Sequence, residues 1–186
     1  MLEYHSLGTI FYIFLFVFIV FFFFSYIRRG EYSDIDWIAR KHSIRFCSFG
    51  VLLALSLFLG ISSNFTWSRL HEGLEFLYRF GVNIGFGLIG LYSSVWYLSP
   101  FFGQQIIREK RSPGFLGILL TIISLFLGIF LGSLPGFFVS QFYYRSNFSD
   151  GFQQTIIGPL YWIFFFGGIP ALSLGFFLGK RIEKGF

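Results

Sequence analysis

Charge is scarce in this chain: Asp, Glu, Lys and Arg make up only 12% of its 186 residues. A soluble domain carries about 25%. With half that share there is too little polar surface to cover a water-facing globule, so lipid is expected to be part of the solvent. Cysteine is rarer still. The lone Cys47 excludes an internal disulfide and any metal site built from several thiolates. The 14 Lys and Arg residues are scattered among short connecting segments and form no continuous basic face, which argues against nucleic acid as a partner. No acid and no histidine falls inside a long apolar stretch. That leaves no buried carboxylate to carry protons and no axial ligand for a haem, and no cofactor or metal is expected.

Apolar length, by contrast, is abundant. Five segments are each long enough to cross a hydrocarbon core of about 30 Å, which takes about 20 helical residues. They are about Leu7–Ile27, Ile44–Phe65, Phe76–Phe102, Gly114–Ser140 and Thr155–Gly179. Barrel strands would be about ten residues long and would alternate in polarity. These segments are longer and apolar on all sides. The expected fold is therefore all-α, a single polytopic membrane domain of about five transmembrane helices. The 31 Phe residues, in runs such as Phe21–Phe24 and Phe164–Phe166, read as lipid-facing bulk. No cation precedes the first segment, Arg28 and Arg29 follow it, and it lacks a small-x-small cleavage site. It is expected to be a retained helix rather than a signal peptide.

Five spans sort the loops into two sets. Arg28, Arg29, Arg40, Lys41, Arg45, Arg108, Lys110, Arg111, Lys180, Arg181 and Lys184 fall on one side, and Arg69, Arg79 and Arg145 on the other. Short cationic loops are retained in the cytoplasm. The pattern predicts an outer N-terminus and a cytoplasmic C-terminus in a plasma (inner) membrane. Within the first loop, Ser33 is a plausible N-cap with Asp34 and Asp36 in the following turn. Ile35, Ile38, Ala39 and His42 then recur on one stripe, with Arg40 and Lys41 off it and Trp37 beside it. This predicts a short helix over Ser33–Ser43 lying on the cytoplasmic leaflet; a solvated connector is the plain alternative.

An internal repeat is suggested by the likeness of Gly50–Gly60 to Gly117–Gly128, and by the Phe-Phe pairs followed by cationic clusters that close the third and fifth spans. Chance matches among Leu, Phe, Ile and Gly produce the same likeness.

Small residues four apart share a helix face and let two backbones approach, and in lipid this packing holds helices together. The spacing occurs at Gly81/Gly85, Gly128/Gly132, Gly132/Gly136 and Gly175/Gly179. Spans three to five are expected to form the packed core, through contacts within the chain or with another subunit. Pro135 lies near the outer end of the fourth span, and Pro159 is expected in the first turn of the fifth, where a missing N–H is harmless. Pro170, after Gly167 and Gly168, should kink the fifth span. A broken helix at membrane depth can offer carbonyls to a solute. Arg79 and Asn83, expected on one face of the third span, are the other polar groups open to transport or contact. Asn83 would need a partner such as Ser56, Thr121 or a carbonyl near Pro170.

The densest polar cluster lies on the predicted outer side, between Trp67 and Arg79. His71, Glu75 and Arg79 fall on one helical face, with Glu72 beside them. A His and two carboxylates are the groups of a metal or acid–base site. The same spacing also makes ordinary helix ion pairs. Glu75-xxx-Arg79 resembles a fragment of the paired-glutamate motif of the CPBP intramembrane proteases. Position 74 is Leu where the second acid should stand, and no intramembrane His follows. Gly132-Ser-Leu-Pro-Gly136 resembles the first motif of the glycerol-phosphate acyltransferases, without the downstream phosphate-binding residues.

These features predict a non-catalytic membrane subunit, in contact with lipid and with other subunits or copies of itself. The alternative is a small homo-oligomeric transporter or channel. An intramembrane or interfacial enzyme using His71, Glu72 and Glu75 ranks third.

Overall fold

The computed structural model describes residues 33–64, 66, 70–142 and 147–185. The expected span Leu7–Ile27 lies outside them, as do Arg28, Arg29, Trp67, Arg69 and Arg145. The helices are α1 (Asp34–Ser62), α2 (Leu70–Arg79), α3 (Gly81–Ile107), α4 (Pro113–Phe142), α5 (Phe148–Phe152) and α6 (Gly158–Lys184). A π-helical turn, Gln153–Ile157, joins α5 to α6. No strand occurs among the described residues.

Helix α1 starts where the capping signal predicts. The Asp36 N–H donates to Ser33 Oγ at 3.3 Å, and Asp34 and Asp36 occupy the positive first turn. It does not stop at Ser43. The expected separate interfacial helix is the first third of one 29-residue helix. The reason is local: no Gly or Pro lies between Asp34 and Phe49 to end the hydrogen-bond ladder. The helix ends instead at Ser63 and Asn64, where Asn64 adopts the left-handed conformation (φ 48°) that asparagine tolerates after a helix.

The expected third span is divided. Helices α2 and α3 meet at Phe80 with a bend of 73°, so Arg79 and Asn83 do not share one face. The glycine at 81 weakens the ladder at that point. Packing decides the direction of the bend: Gly73 lets α2 sit back on Leu59 and Ser62 of α1, and Phe76 packs on Phe58 at 5.1 Å. The fifth span also starts earlier than expected, at Phe148. Pro159 stands in the first turn of α6, as expected, but the π-turn runs directly into that turn, so the proline also leaves the carbonyl four residues back without a donor. The turn before it widens, and the Gly158 N–H donates to Gln153 O. Farther along, the segments Phe148–Phe165 and Gly167–Lys184 are bent by 60°. Pro170 leaves the carbonyl four residues earlier without its helical donor and crowds it, which places the bend there.

Helices α1, α3, α4 and α6 run alternately up and down. Asp36 meets Gln104 and Ser48 meets Tyr92 across α1 and α3. Gly50 faces Leu174, and Gly185 faces Ile38 and His42, across α1 and α6. The starts of α1 and α4 and the ends of α3 and α6 thus share one end of the bundle, here the Pro113 end. Its core is Ala39, Phe102, Ile106, Leu116, Leu120, Leu178 and Ile182. Arg40, Lys41, Arg45, Arg108, Lys110, Arg111, Lys180, Arg181 and Lys184 all belong to this end, and Arg79 to the opposite, Phe142 end.

Helix α4 is central and presents one glycine stripe to two partners. A step of eleven residues, as from Gly117 to Gly128, returns to within roughly 20° of the same direction. The stripe meets α6 at the Pro113 end and α3 at the Phe142 end. Among the described residues, two helices, α1 and α4, can cross a membrane by length and composition, or up to four spans if each bent pair is one. A membrane-embedded helical protein follows from these apolar lengths.

Candidate functional site

The polar groups of the bundle concentrate along the seam between α1 and α3. Pro100 sits inside α3 and has no N–H, so the Trp96 carbonyl loses its helical donor. The Arg40 Nε–H donates to that carbonyl at 3.2 Å, and its guanidinium lies 4.8 Å from the centre of the Trp96 ring. One arginine thus serves a carbonyl that proline has freed and stacks on the ring of the same residue, which is buried. On either side, Gln104 Nε2 donates to Asp36 Oδ1 at 3.0 Å, and the Ser48 and Tyr92 hydroxyls are 2.9 Å apart. Close approach makes the seam possible. A β-carbon on Gly103 would stand 2.6 Å from Ala39 Cβ, so only glycine lets Ala39 enter. Sequence reasoning placed Arg40 off the packed stripe and passed over Trp96, Pro100 and Gln104. The mid-helix proline was the available signal, because it announces a carbonyl in need of a donor.

The glycines singled out by spacing have different fates. A β-carbon on Gly132 would be 2.9 Å from Asn83 O and 3.0 Å from Gly87 Cα, and one on Gly128 would be 3.0 Å from Leu91 Cβ. Gly136 faces Asn83 Nδ2 at 3.1 Å by the same measure. Asn83 therefore lies on the glycine face of α4. Of its expected partners, Ser56 is exposed and Thr121 donates to Gly117 O on its own helix at 2.9 Å. Gly175 and Gly179 abut Pro113, Gly117 and Ile118 backbone atoms of α4. Gly85 is buried, but Gly81 has nothing within 4 Å and makes no packing face with it. The partner glycines escaped the four-residue rule because each meets a residue on another helix: Gly87, Gly90 and Gly117 a glycine or a leucine, and Gly114 the Phe176 ring.

The polar cluster on α2 stays apart from this seam. Glu75 and Arg79 form an ion pair at 3.6 Å with side chains 69% and 72% exposed. With Glu72 and Phe76 they line an open depression of about 300 Å³. His71 and Glu72 are exposed on the same short helix. Among the described residues, no three His, Cys, Asp or Glu side chains are placed to hold a metal ion.

On the polar first third of α1, before its apolar stretch begins at Phe46, His42 is half-buried beside the last turn of α6. Burial, and then the charges of Arg181, Arg45 and Lys41, hold it below the usual imidazole range.

No family model, curated protein or solved structure matches the chain. Its function has to be argued from this geometry.

Proposed function

We propose that this is an integral membrane bundle that works by assembly, as a non-catalytic subunit or partner within a membrane complex. The observation that carries the reading is the uneven use of its helix faces. Close glycine contacts join α3, α4 and α6, yet most of α1 between Phe49 and Ile61, and the start of α6, leave their faces uncovered. Leu52 and Ile61 of α1 are 62% and 66% exposed, and Tyr161, Phe165 and Ile169 of α6 are 62%, 63% and 74% exposed. Continuous apolar faces of this size on a closely packed bundle suit a second membrane helix as well as lipid. In this reading the chain has five spans, an outer N-terminus and a cytoplasmic Pro113 end, supported by the collection of cations at that end.

A second reading, a small homo-oligomeric transporter or channel, is favoured by the 60° bend near Pro170 and by two buried hydroxyls. Ser43 Oγ and Ser124 Oγ have no hydrogen-bond partner among the described residues.

Purification of the full chain in mild detergent followed by native mass spectrometry separates these readings. A stoichiometric foreign membrane protein is expected, together with cross-links from cysteines introduced at Leu57 and Phe165 in a Cys47→Ser background. A closed homo-oligomer would favour the pore, and a monomer that forms no cross-link would overturn assembly. Reporters after Lys41, Arg111 and the C-terminus should lie in the cytoplasm, and those after Glu72 and Asp150 outside. Opposite sides for Lys41 and Arg111 would break the five-span topology.

A further inference from the structure

The Pro113 end carries a group of cations that the bundle does not neutralise. On α1, Lys41, His42 and Arg45 follow one another within four residues. The last turn of α6 brings Arg181 to them: a β-carbon on Gly185 would stand 3.0 Å from Ile38 Cγ2 and 3.2 Å from His42 Nε2. The two helices are fixed there by Ala39 and Ile182, both fully buried in one core. Lys41, Arg45 and Arg181 are exposed, while His42 is half-buried between the helices. None of the three strong cations forms an ion pair with an acid among the described residues. Among the described residues, Glu75 pairs with Arg79 and Glu109 with Arg111. Asp36 accepts from Gln104, and Glu183, the nearest acid on α6, makes no ion pair with them. The apolar stretch of α1 begins immediately beyond, at Phe46.

Held like charges without a counter-ion, next to an apolar helix surface, match one ligand chemistry. A phosphate group can accept from Lys and Arg together, and acyl chains below it can lie on the apolar faces of α1 and α6. We infer that Lys41, Arg45 and Arg181, with His42 between them, form a binding site for the phosphate headgroup of an anionic lipid in the leaflet at the Pro113 end. The site lies between two helices and is distinct from the general attraction of loop cations to a charged surface. It rests on the reading of this end as a membrane–water boundary.

The test is a lipid titration of the full chain in mild detergent, read by native mass spectrometry, with phosphatidylglycerol, phosphatidylcholine and inorganic phosphate as separate arms. Phosphatidylglycerol should be retained in preference to phosphatidylcholine. The Arg45→Gln/Arg181→Gln double variant should lose roughly tenfold or more in phosphatidylglycerol affinity. Lys110→Gln, which removes a loop cation at the same end, should change it by less than about twofold. Arg45→Lys/Arg181→Lys keeps the charges and should keep most of the binding, which holds the result if the glutamine variant folds poorly. An equal loss in Lys110→Gln would reduce the site to diffuse attraction and overturn it. Displacement of the lipid by a modest excess of inorganic phosphate would make the ligand a free anion and overturn the lipid assignment. Topology reporters judge the boundary independently: a correct topology with no lipid preference sinks the site alone, and a wrong topology sinks the five-span reading first.

Discussion

The two ends of the bundle are built from the same apolar helices and packed in different ways. At the Pro113 end four helices converge, with glycines seated against backbone and a polar seam holding α1 to α3. At the Phe142 end the glycine contacts shrink to the α3–α4 pair, while α1 and α6 expose Leu, Ile, Phe and Tyr on open faces. Away from the cations that border the Pro113 end, the helices are apolar throughout, so hydrophobicity does not separate the two modes of packing. Inside lipid it offers no drive to bring helices together, and close backbone fit and hydrogen bonds do that instead. Both concentrate at one end.

The sharpest way to break the comparison is to add side chains at each end. At the packed end, a β-carbon on Gly117 would meet Gly175 O and the Gly179 backbone, and one on Gly179 would meet the Pro113 carbonyl. Backbone cannot rotate away. Gly117→Leu and Gly179→Leu should lower thermal stability in detergent by at least the roughly 1–3 kcal/mol of ordinary overpacking, with Gly132→Leu in the same direction. At the open end, Gly168 has nothing within 4 Å, and Gly168→Leu should unfold at nearly the wild-type temperature. Equal melting for Gly117→Leu and Gly168→Leu would erase the distinction.

The seam gives the next largest effect. Arg40→Met removes a charged hydrogen bond to Trp96 O and a cation–ring contact, together worth about 1.5–3 kcal/mol. Pro100→Ala restores the missing helical N–H, so the same arginine change should cost less in that background. The expected coupling in a double-mutant cycle is about 0.5–1.5 kcal/mol. Strict additivity would mean that the arginine and the proline do not share the carbonyl.

Smaller effects are expected where one neutral bond is lost. Tyr92→Phe and Ser48→Ala each remove one side of the 2.9 Å contact, at about 1 kcal/mol. The double variant should cost about as much as either single one, and thermal unfolding in detergent measures all three.

At the far side of the comparison, the exposed polar face of α2 should be nearly silent. Glu75→Ala and Arg79→Ala should each change stability by about 0.2–0.5 kcal/mol, with salt removing the difference. His71→Ala should leave folding and assembly unchanged. Metal analysis of the purified wild type provides the stronger check: near-stoichiometric zinc or iron, lost in His71→Ala, would turn this face into a site.

The sequence by itself determined the helical, membrane-embedded class, because long runs of apolar residues with so little charge have no other stable solvent. It also determined the Ser33 cap and the extent of α4 to within two residues at either end, since both depend on signals carried by neighbouring residues. Only tertiary structure decided the rest. The direction of the 73° break at Phe80 follows the seating of Gly73 on α1. The partner of each glycine lies on another helix, outside any spacing rule. Arg40 stood off the expected apolar stripe, and it took α3 to bring it a carbonyl that Pro100, sixty residues away, had left without a donor. Local composition records what a segment can do alone, and such pairings exist only once two distant segments touch.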